Sequence, residues 1–110
     1  GYYLFKDNQL ILGPFQGKVA CEVIPLEKGV CGYCATTRQT IVVEDVHLFE
    51  GHIACDNASN SEIVLPIIIN NELFGVLDID SPIKSRFKKE DKKMLEKCVQ
   101  ILQGKIKQLL

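Results

Sequence analysis

The chain is predicted to be an α+β domain in which helices cover an antiparallel sheet. Two pairs of strand-like segments are each joined by a two-residue turn, Asp7-Asn8 and Asn70-Asn71. The end of the chain follows a helical period instead, and a shorter helical segment lies between the two pairs. Hairpins require antiparallel neighbours, and helices with an apolar face must bury that face against the sheet.

The first half of the chain supplies the shorter elements. Tyr2 to Lys6 and Gln9 to Phe15 are β-rich runs that form the first hairpin. A third strand is predicted over Val19 to Ile24, where alternation puts Cys21 on the face of Val19 and Val23.

Between this strand and the second hairpin, the sequence predicts a helix, a strand and a loop. The helix covers Gly29 to Arg38, and the strand covers Thr40 to Val43. Glu44 to Asn60 has no sustained period and contains both histidines. A loop of that length in a small domain is usually functional or disordered.

The second hairpin pairs Glu62 to Ile69 with Glu72 to Asp80. Pairing outward from the turn places Glu62 roughly opposite Ile79. Residues of even number in the second strand share one face, which predicts that Phe74 and Val76 lie beside Asp78 and Asp80.

The last segment, Phe87 to Leu110, is predicted to be an amphipathic helix. Cys98 lies on its apolar stripe and is expected in the core. The stripe repeats at steps of three and four residues: Met94, Leu95, Cys98, Ile101, Leu102, Ile106 and Leu109.

Composition limits the class of protein. A chain of 110 residues, 46% hydrophobic and 25% charged, is expected to be one domain over residues 1–110. Its net charge of −1 gives no overall attraction to nucleic acid or to an anionic membrane. No apolar run approaches the roughly 20 residues of a membrane helix. Five cysteines cannot all pair internally, and a reducing cytoplasm is the simplest setting.

Cys21, Cys31 and Cys55 are the candidate reactive thiols. Cys31 and Cys55 are flanked by Gly, His or Asp, residues typical of loops and helix starts. His52 would share a face with Cys55 in a helical turn, and an imidazolium there would lower the pKa of the thiol. The alternative is a cysteine that fills a gap in the loop beside a solvated histidine.

Cys31 also forms a Cys-x-x-Cys pair with Cys34. Such a pair indicates a thioredoxin-like dithiol or half of a zinc site. The βαβ context of the former and the second ligand pair of the latter are not evident in the sequence. We therefore favour a chance pairing, with Cys34 packed beneath the short helix.

Glu62, Asp78 and Asp80 are expected to gather at one end of the second hairpin. Carboxylates this close raise one another's pKa and require compensation by a ligand amine, a metal or a shared proton. The alternative is that one carboxylate faces solvent while another caps a turn.

Taken together and in order, these motifs resemble the free methionine-(R)-sulfoxide reductases, a family built on the GAF fold. The resemblance runs over essentially the whole chain. The matching stretches are Gly13-Pro14-Phe15-Gln16-Gly17-Lys18, Cys21, Gly29-Val30-Cys31-Gly32, Asp45-Val46-His47, Gly51-His52-Ile53-Ala54-Cys55-Asp56, Ser61-Glu62-Ile63-Val64 and Gly75-Val76-Leu77-Asp78-Ile79-Asp80-Ser81-Pro82.

The resemblance implies an enzyme that reduces the R epimer of free methionine sulfoxide, without a metal or organic cofactor. By position, Cys55 corresponds to the nucleophile, Cys21 to the main resolving cysteine and Cys31 to an auxiliary one. The three acids correspond to the substrate-binding groups: Glu62, Asp78 and Asp80. Thioredoxin is the implied reductant, and a homodimer is compatible with the family.

Two departures and two rival interpretations accompany this resemblance. Family members usually carry an N-terminal helix ahead of the position of Gly1, so the chain is expected to be a fragment. Cys34 stands where a small residue without a thiol is expected. The rival is a non-catalytic GAF domain that binds a small molecule or senses redox state, and a small zinc-binding module is a third interpretation.

Overall fold

The computed structural model describes residues 1–17, 21–51 and 58–110, and confirms the predicted α+β class. In these ranges one antiparallel sheet has the strand order β3-β2-β1-β6-β5-β4. Helix α1 spans Gly29–Thr37 and helix α2 spans Lys89–Leu109. The strands are β1 (Tyr2–Lys6), β2 (Gln9–Leu12), β3 (Val23–Pro25), β4 (Ile41–Val43), β5 (Ser61–Ile69) and β6 (Glu72–Ser81).

Both hairpins turn on two residues with left-handed backbone, as predicted. The φ angles are 54° and 61° at Asp7 and Asn8, and 53° and 64° at Asn70 and Asn71. Asn and Asp adopt positive φ more readily than other residues with a Cβ. Two such residues in succession form the type I′ turn, whose twist matches that of the paired strands.

Each helix covers one face of the sheet, so the central strands are buried on both sides. Because neither face of β5 is solvated, the sequence of this strand is a nearly continuous run of apolar residues. The core on the α1 face includes Tyr3, Leu10, Ile24, Val30, Cys31, Cys34, Val64 and Val76. The core on the α2 face includes Ile63, Leu65, Ile67, Ile69 and Val99.

Helix α2 presents a narrower face to the sheet than its sequence predicts. Val99 is its buried residue, flanked by the half-buried Leu95 and Leu102. The predicted core position of Cys98 is wrong: this thiol is exposed. One residue along a helix rotates the side chain by about 100°, which turns Cys98 away from the face that Val99 presents to the sheet. Among the helices that the structure describes, none is both long and apolar enough to cross a membrane.

The third strand is shorter than predicted. It begins at Val23, so the alternation expected over 19–24 does not extend back to Cys21. Val23 is 50% exposed, whereas Ile24 is buried and Cys21 packs against the same core as Ile24. The expectation that Cys21 shares a face with Val23 is therefore wrong, and Val19 lies outside the described residues.

The register of the second hairpin also corrects the prediction. Ile67 pairs with Gly75, but Ile68 pairs with Leu73, which leaves Phe74 as the extra residue of a bulge. Phe74 consequently packs on the α2 face instead of beside the aspartates. Glu62 lies opposite Asp80, one residue beyond the predicted partner Ile79.

Gly75 permits the close approach of β1 to β6, and its replacement by alanine is expected to destabilise the fold. A Cβ at Gly75 would lie 2.2 Å from the carbonyl oxygen of Tyr3, which is backbone and cannot swing away. We expect Gly75→Ala to lower the free energy of unfolding by on the order of 3 kcal/mol. Urea titration measures this difference.

Gly104 provides the matched control for the same substitution. A Cβ there has open space around it, and the residue lies inside α2. Gly104→Ala is therefore expected to stabilise the protein by up to about 1 kcal/mol. Equal effects of the two substitutions would contradict the proposed clash at Gly75.

Candidate functional site

The three predicted acids meet on the α1 face of the sheet, where β5 pairs with β6. Glu62 lies directly opposite Asp80, and Asp78 lies opposite Val64. Glu62 and Asp78 are only 5% and 8% exposed, whereas Asp80 is exposed. The cluster therefore has a buried end and a solvent-exposed end, unlike the ordinary surface carboxylates of a strand terminus.

Helix α1 places Cys31 against the buried end of this cluster. The thiol is 4% exposed, and its sulfur and one oxygen each of Glu62 and Asp78 all lie within 4.8 Å of one another. Thiolate and carboxylate groups at such distances could hold a divalent cation. They could equally be held together by shared protons.

Burial controls the protonation of this cluster. It raises the pKa of Glu62 to about 12, and hydrogen bonding to Asp78 together with the charges of both aspartates acts in the same direction. Burial likewise raises the pKa of the Cys31 thiol far above its usual range, reinforced by the charge of Asp78. At neutral pH, Glu62 is therefore a neutral acid that can donate a hydrogen bond, and Cys31 is a thiol.

Asp78 has one oxygen left for a ligand. Its Oδ1 is buried and has no hydrogen-bond partner among the residues that the structure describes. An unpaired buried carboxylate oxygen costs free energy, and such groups in native proteins call for an explanation. A ligand that donates hydrogen bonds here, such as an ammonium group, would supply the missing partner.

Cys21 lies in the segment before β3 and packs against the same core as Cys31. It is disulfide-bonded, whereas Cys31, Cys34 and Cys98 are free. Its carbonyl oxygen accepts a hydrogen bond from the Tyr3 hydroxyl at 2.9 Å. The sequence does not predict that Tyr3 belongs to the site. The face of β1 on which Tyr3 lies becomes informative only once β1 is known to pair with β6.

The remaining candidates fall outside the cluster or outside the described ranges. His52 and Cys55 belong to residues 52–57, which lie outside the described part of the chain. Cys34 is a fully buried residue of α1, and its thiol lies 3.6 Å from the carbonyl oxygen of Val64 in β5. His47 is exposed and pairs with the side chain of Asn60 at 3.2 Å.

Replacing Glu62 with glutamine is expected to reduce the pH dependence of folding stability. The folded-state pKa is raised from the ordinary 4.5 to about 12, so the folded protein keeps a proton that the unfolded chain loses between these values. The contribution of Glu62 is fully present below pH 4.5 and declines as the pH rises, by at most about 1.4 kcal/mol per pH unit. Glu62→Gln removes this decline.

Urea unfolding at several pH values between about 5 and 9 measures this effect. Glu72→Gln is the matched control, because Glu72 is an exposed residue at the start of β6. An unchanged pH slope in Glu62→Gln would contradict the buried neutral acid.

Comparison with known proteins places this chain in a family. Residues 3–103 match the GAF domain. The free methionine-R-sulfoxide reductase of Escherichia coli K12 is 56% identical over 99 residues, covering 90% of this chain and 60% of that protein. A structure of fRMsr of Staphylococcus aureus in its reduced form superposes with a TM-score of 0.91 at 56% identity, covering 94% of this chain and 68% of that one.

A substrate complex is also among the similar structures. The free methionine-R-sulfoxide reductase of Neisseria meningitidis, solved with its substrate, superposes with a TM-score of 0.92 at 40% identity, covering 94% of this chain and 64% of that one. The chain thus spans about 60% of the length of the E. coli relative. The chain belongs to the GAF domain family and is similar, within that family, to the free methionine-R-sulfoxide reductases.

Proposed function

We propose that the protein reduces free L-methionine-(R)-sulfoxide to methionine. The observation that carries this proposal is the buried cluster of Glu62, Asp78 and Cys31, with the disulfide-bonded Cys21 packed against the same core as Cys31. Such a site combines groups that bind the ammonium of a zwitterionic, polar substrate with thiols that can be oxidised and reduced. The similarity to reductases of the same name supports the same activity.

The three acids have different roles in binding the substrate. The substrate ammonium needs anionic partners, and Asp78 with its unpaired buried oxygen and the exposed Asp80 provide them. Glu62, kept neutral by burial, donates a hydrogen bond to the sulfoxide oxygen. That bond draws electron density from sulfur and stabilises the oxygen as it leaves.

The chemistry begins with Cys55 as the nucleophile. Its thiolate attacks the sulfoxide sulfur, oxygen is transferred to the cysteine sulfur, and methionine leaves. The sulfoxide gains two electrons while Cys55 becomes a sulfenic acid. His52 and the position of Cys55 in its motif support this assignment at the level of sequence.

Cys21 then resolves the sulfenic acid. Its thiol condenses with the Cys55 sulfenic acid, a disulfide forms and water leaves. The disulfide state of Cys21 and the free state of Cys31, Cys34 and Cys98 support a pairing of Cys21 with Cys55. The raised pKa of Cys31 disfavours its thiolate, which fits an auxiliary resolving role.

An external dithiol completes the cycle. We propose thioredoxin in the cytoplasm, which attacks the disulfide, passes through a mixed disulfide and restores both thiols. No step requires a metal or an organic cofactor.

A coupled assay on the full-length protein tests this function. Free R and S sulfoxides are supplied separately with thioredoxin, its reductase and NADPH, and N-acetyl-methionine-R-sulfoxide is added as the analogue without an ammonium group. We expect NADPH consumption with the free R epimer and little with either other compound. Thermal stabilisation by the sulfoxide without turnover would instead indicate the binding or sensory GAF domain.

A further inference from the structure

Tyr3 connects the sheet to the segment that carries Cys21. The residue lies on β1, opposite Val76 of β6, and its side chain is only 2% exposed. Its hydroxyl donates a hydrogen bond to the carbonyl oxygen of Cys21 at 2.9 Å. A side chain fixed on both sides by paired strands thus holds the backbone of a cysteine that forms a disulfide.

The Tyr3 hydroxyl stays a hydrogen-bond donor in this environment. Burial raises the pKa of the phenol above its usual range, and the nearby charges of Asp78 and Asp80 act in the same direction. The phenol therefore remains protonated at neutral pH and keeps the proton that the Cys21 carbonyl accepts.

Backbone pairing among the described residues also holds the segment around Cys21. β3 is an edge strand of three residues and begins two residues after Cys21. The neighbouring backbone bond joins the amide of Leu12 to the carbonyl of Glu22 at 2.8 Å. Disulfide formation requires Cα atoms about 4.4–6.8 Å apart, so displacement of this segment by a few ångströms would prevent it.

We infer that Tyr3 is a positioning residue for Cys21. Its hydroxyl holds the thiol where a disulfide can close, which raises the effective concentration of that thiol toward its partner. The inference concerns the disulfide itself and rests on the proposed function only for its catalytic consequence. Tyr3 affects the reaction only indirectly, by positioning Cys21, and has no part in the sulfoxide chemistry.

Tyr3→Phe tests the inference because it removes the hydroxyl and keeps the buried ring. Loss of one hydrogen bond is expected to lower the equilibrium constant for closing the Cys21 disulfide by about three- to tenfold. Tenfold corresponds to a reduction potential about 30 mV less negative. Equilibration of the full-length protein with dithiothreitol buffers measures this potential without any sulfoxide.

Tyr2→Phe is the matched control. Tyr2 is the preceding residue on the same strand, and it packs in the core of the α2 face. It is expected to leave the potential unchanged. Equal shifts in the two variants, or no shift in Tyr3→Phe, would overturn the inference.

Two further measurements separate the inference from the proposed function. With sulfoxide present, Tyr3→Phe is expected to accumulate more sulfenic acid, trapped by dimedone, than wild type. If no turnover occurs at all, the proposed function fails while the potential still decides the role of Tyr3. If Tyr3→Phe folds poorly, NMR of the oxidised wild-type protein decides, because a rapidly exchanging Tyr3 hydroxyl proton would refute the bond.

Discussion

Replacement of Cys55 with serine is expected to abolish the reduction of free methionine-R-sulfoxide. A serine hydroxyl is not ionised at neutral pH and does not accept the sulfoxide oxygen as a stable sulfenic acid. Removal of a nucleophile typically lowers kcat by more than about a thousandfold. Methionine production in the coupled assay measures the loss.

Cys98→Ser is the matched control for this experiment. Cys98 is a free, exposed thiol on α2, which covers the face of the sheet opposite to the acids. Its replacement is expected to leave activity within twofold, roughly the scatter of a neutral surface change. Wild-type steady-state activity in Cys55→Ser would remove Cys55 from its proposed role.

Cys21→Ser is expected to separate the first turnover from recycling. The acid cluster and Cys55 remain, so the variant should release about one methionine per active site by the stoichiometry of sulfenic acid formation. Without the main resolving thiol, disulfide formation depends on the poorly ionised Cys31, and steady-state activity should fall by at least about a hundredfold. Rapid quenching measures the first turnover, and NADPH consumption measures the steady state.

Cys31→Ser distinguishes the two candidate resolving thiols. Because burial and Asp78 disfavour the Cys31 thiolate, this variant should lose much less recycling than Cys21→Ser. Unimpaired recycling in Cys21→Ser together with its loss in Cys31→Ser would reverse the assignment.

Local signals in the sequence were sufficient for the hairpins and the helices. The Asp7-Asn8 and Asn70-Asn71 pairs carry the positive φ angles that a type I′ turn requires. Which strands pair in each hairpin therefore follows from neighbouring residues alone. α1 was predicted over Gly29 to Arg38 and spans Gly29–Thr37. These elements depend on interactions within a few residues of chain.

Features that depend on tertiary packing were harder to predict. Cys98 has the spacing of a core residue, but the width of the helix face that meets the sheet is decided by the strands beneath it. The shift at Ile67 and Ile68 moved Glu62 by one partner, because a bulge leaves no clear signal in an apolar run. The acids are nevertheless predicted to lie at the same end of the hairpin, although only the observed register puts Glu62 on the face of Asp78 and Asp80.

Tyr3 shows how far the residues of the site can be predicted from the sequence. Its residue type and position in β1 indicate a strand, and nothing in the sequence relates it to Cys21, which is 18 residues away. Only the placement of β1 beside β6 brings its ring to the acids and its hydroxyl to the Cys21 carbonyl. Contacts of this kind come from the order of strands in the sheet.

The bulge at Phe74 also has a consequence for engineering the protein. It resets the inside–outside phase of β6 between the hairpin tip and the end that carries Asp78 and Asp80. A change in the length of the hairpin beyond the bulge is therefore expected to be absorbed at the bulge before it shifts the acids. The tip of this hairpin is therefore a suitable place to graft a foreign peptide without disturbing the carboxyl cluster.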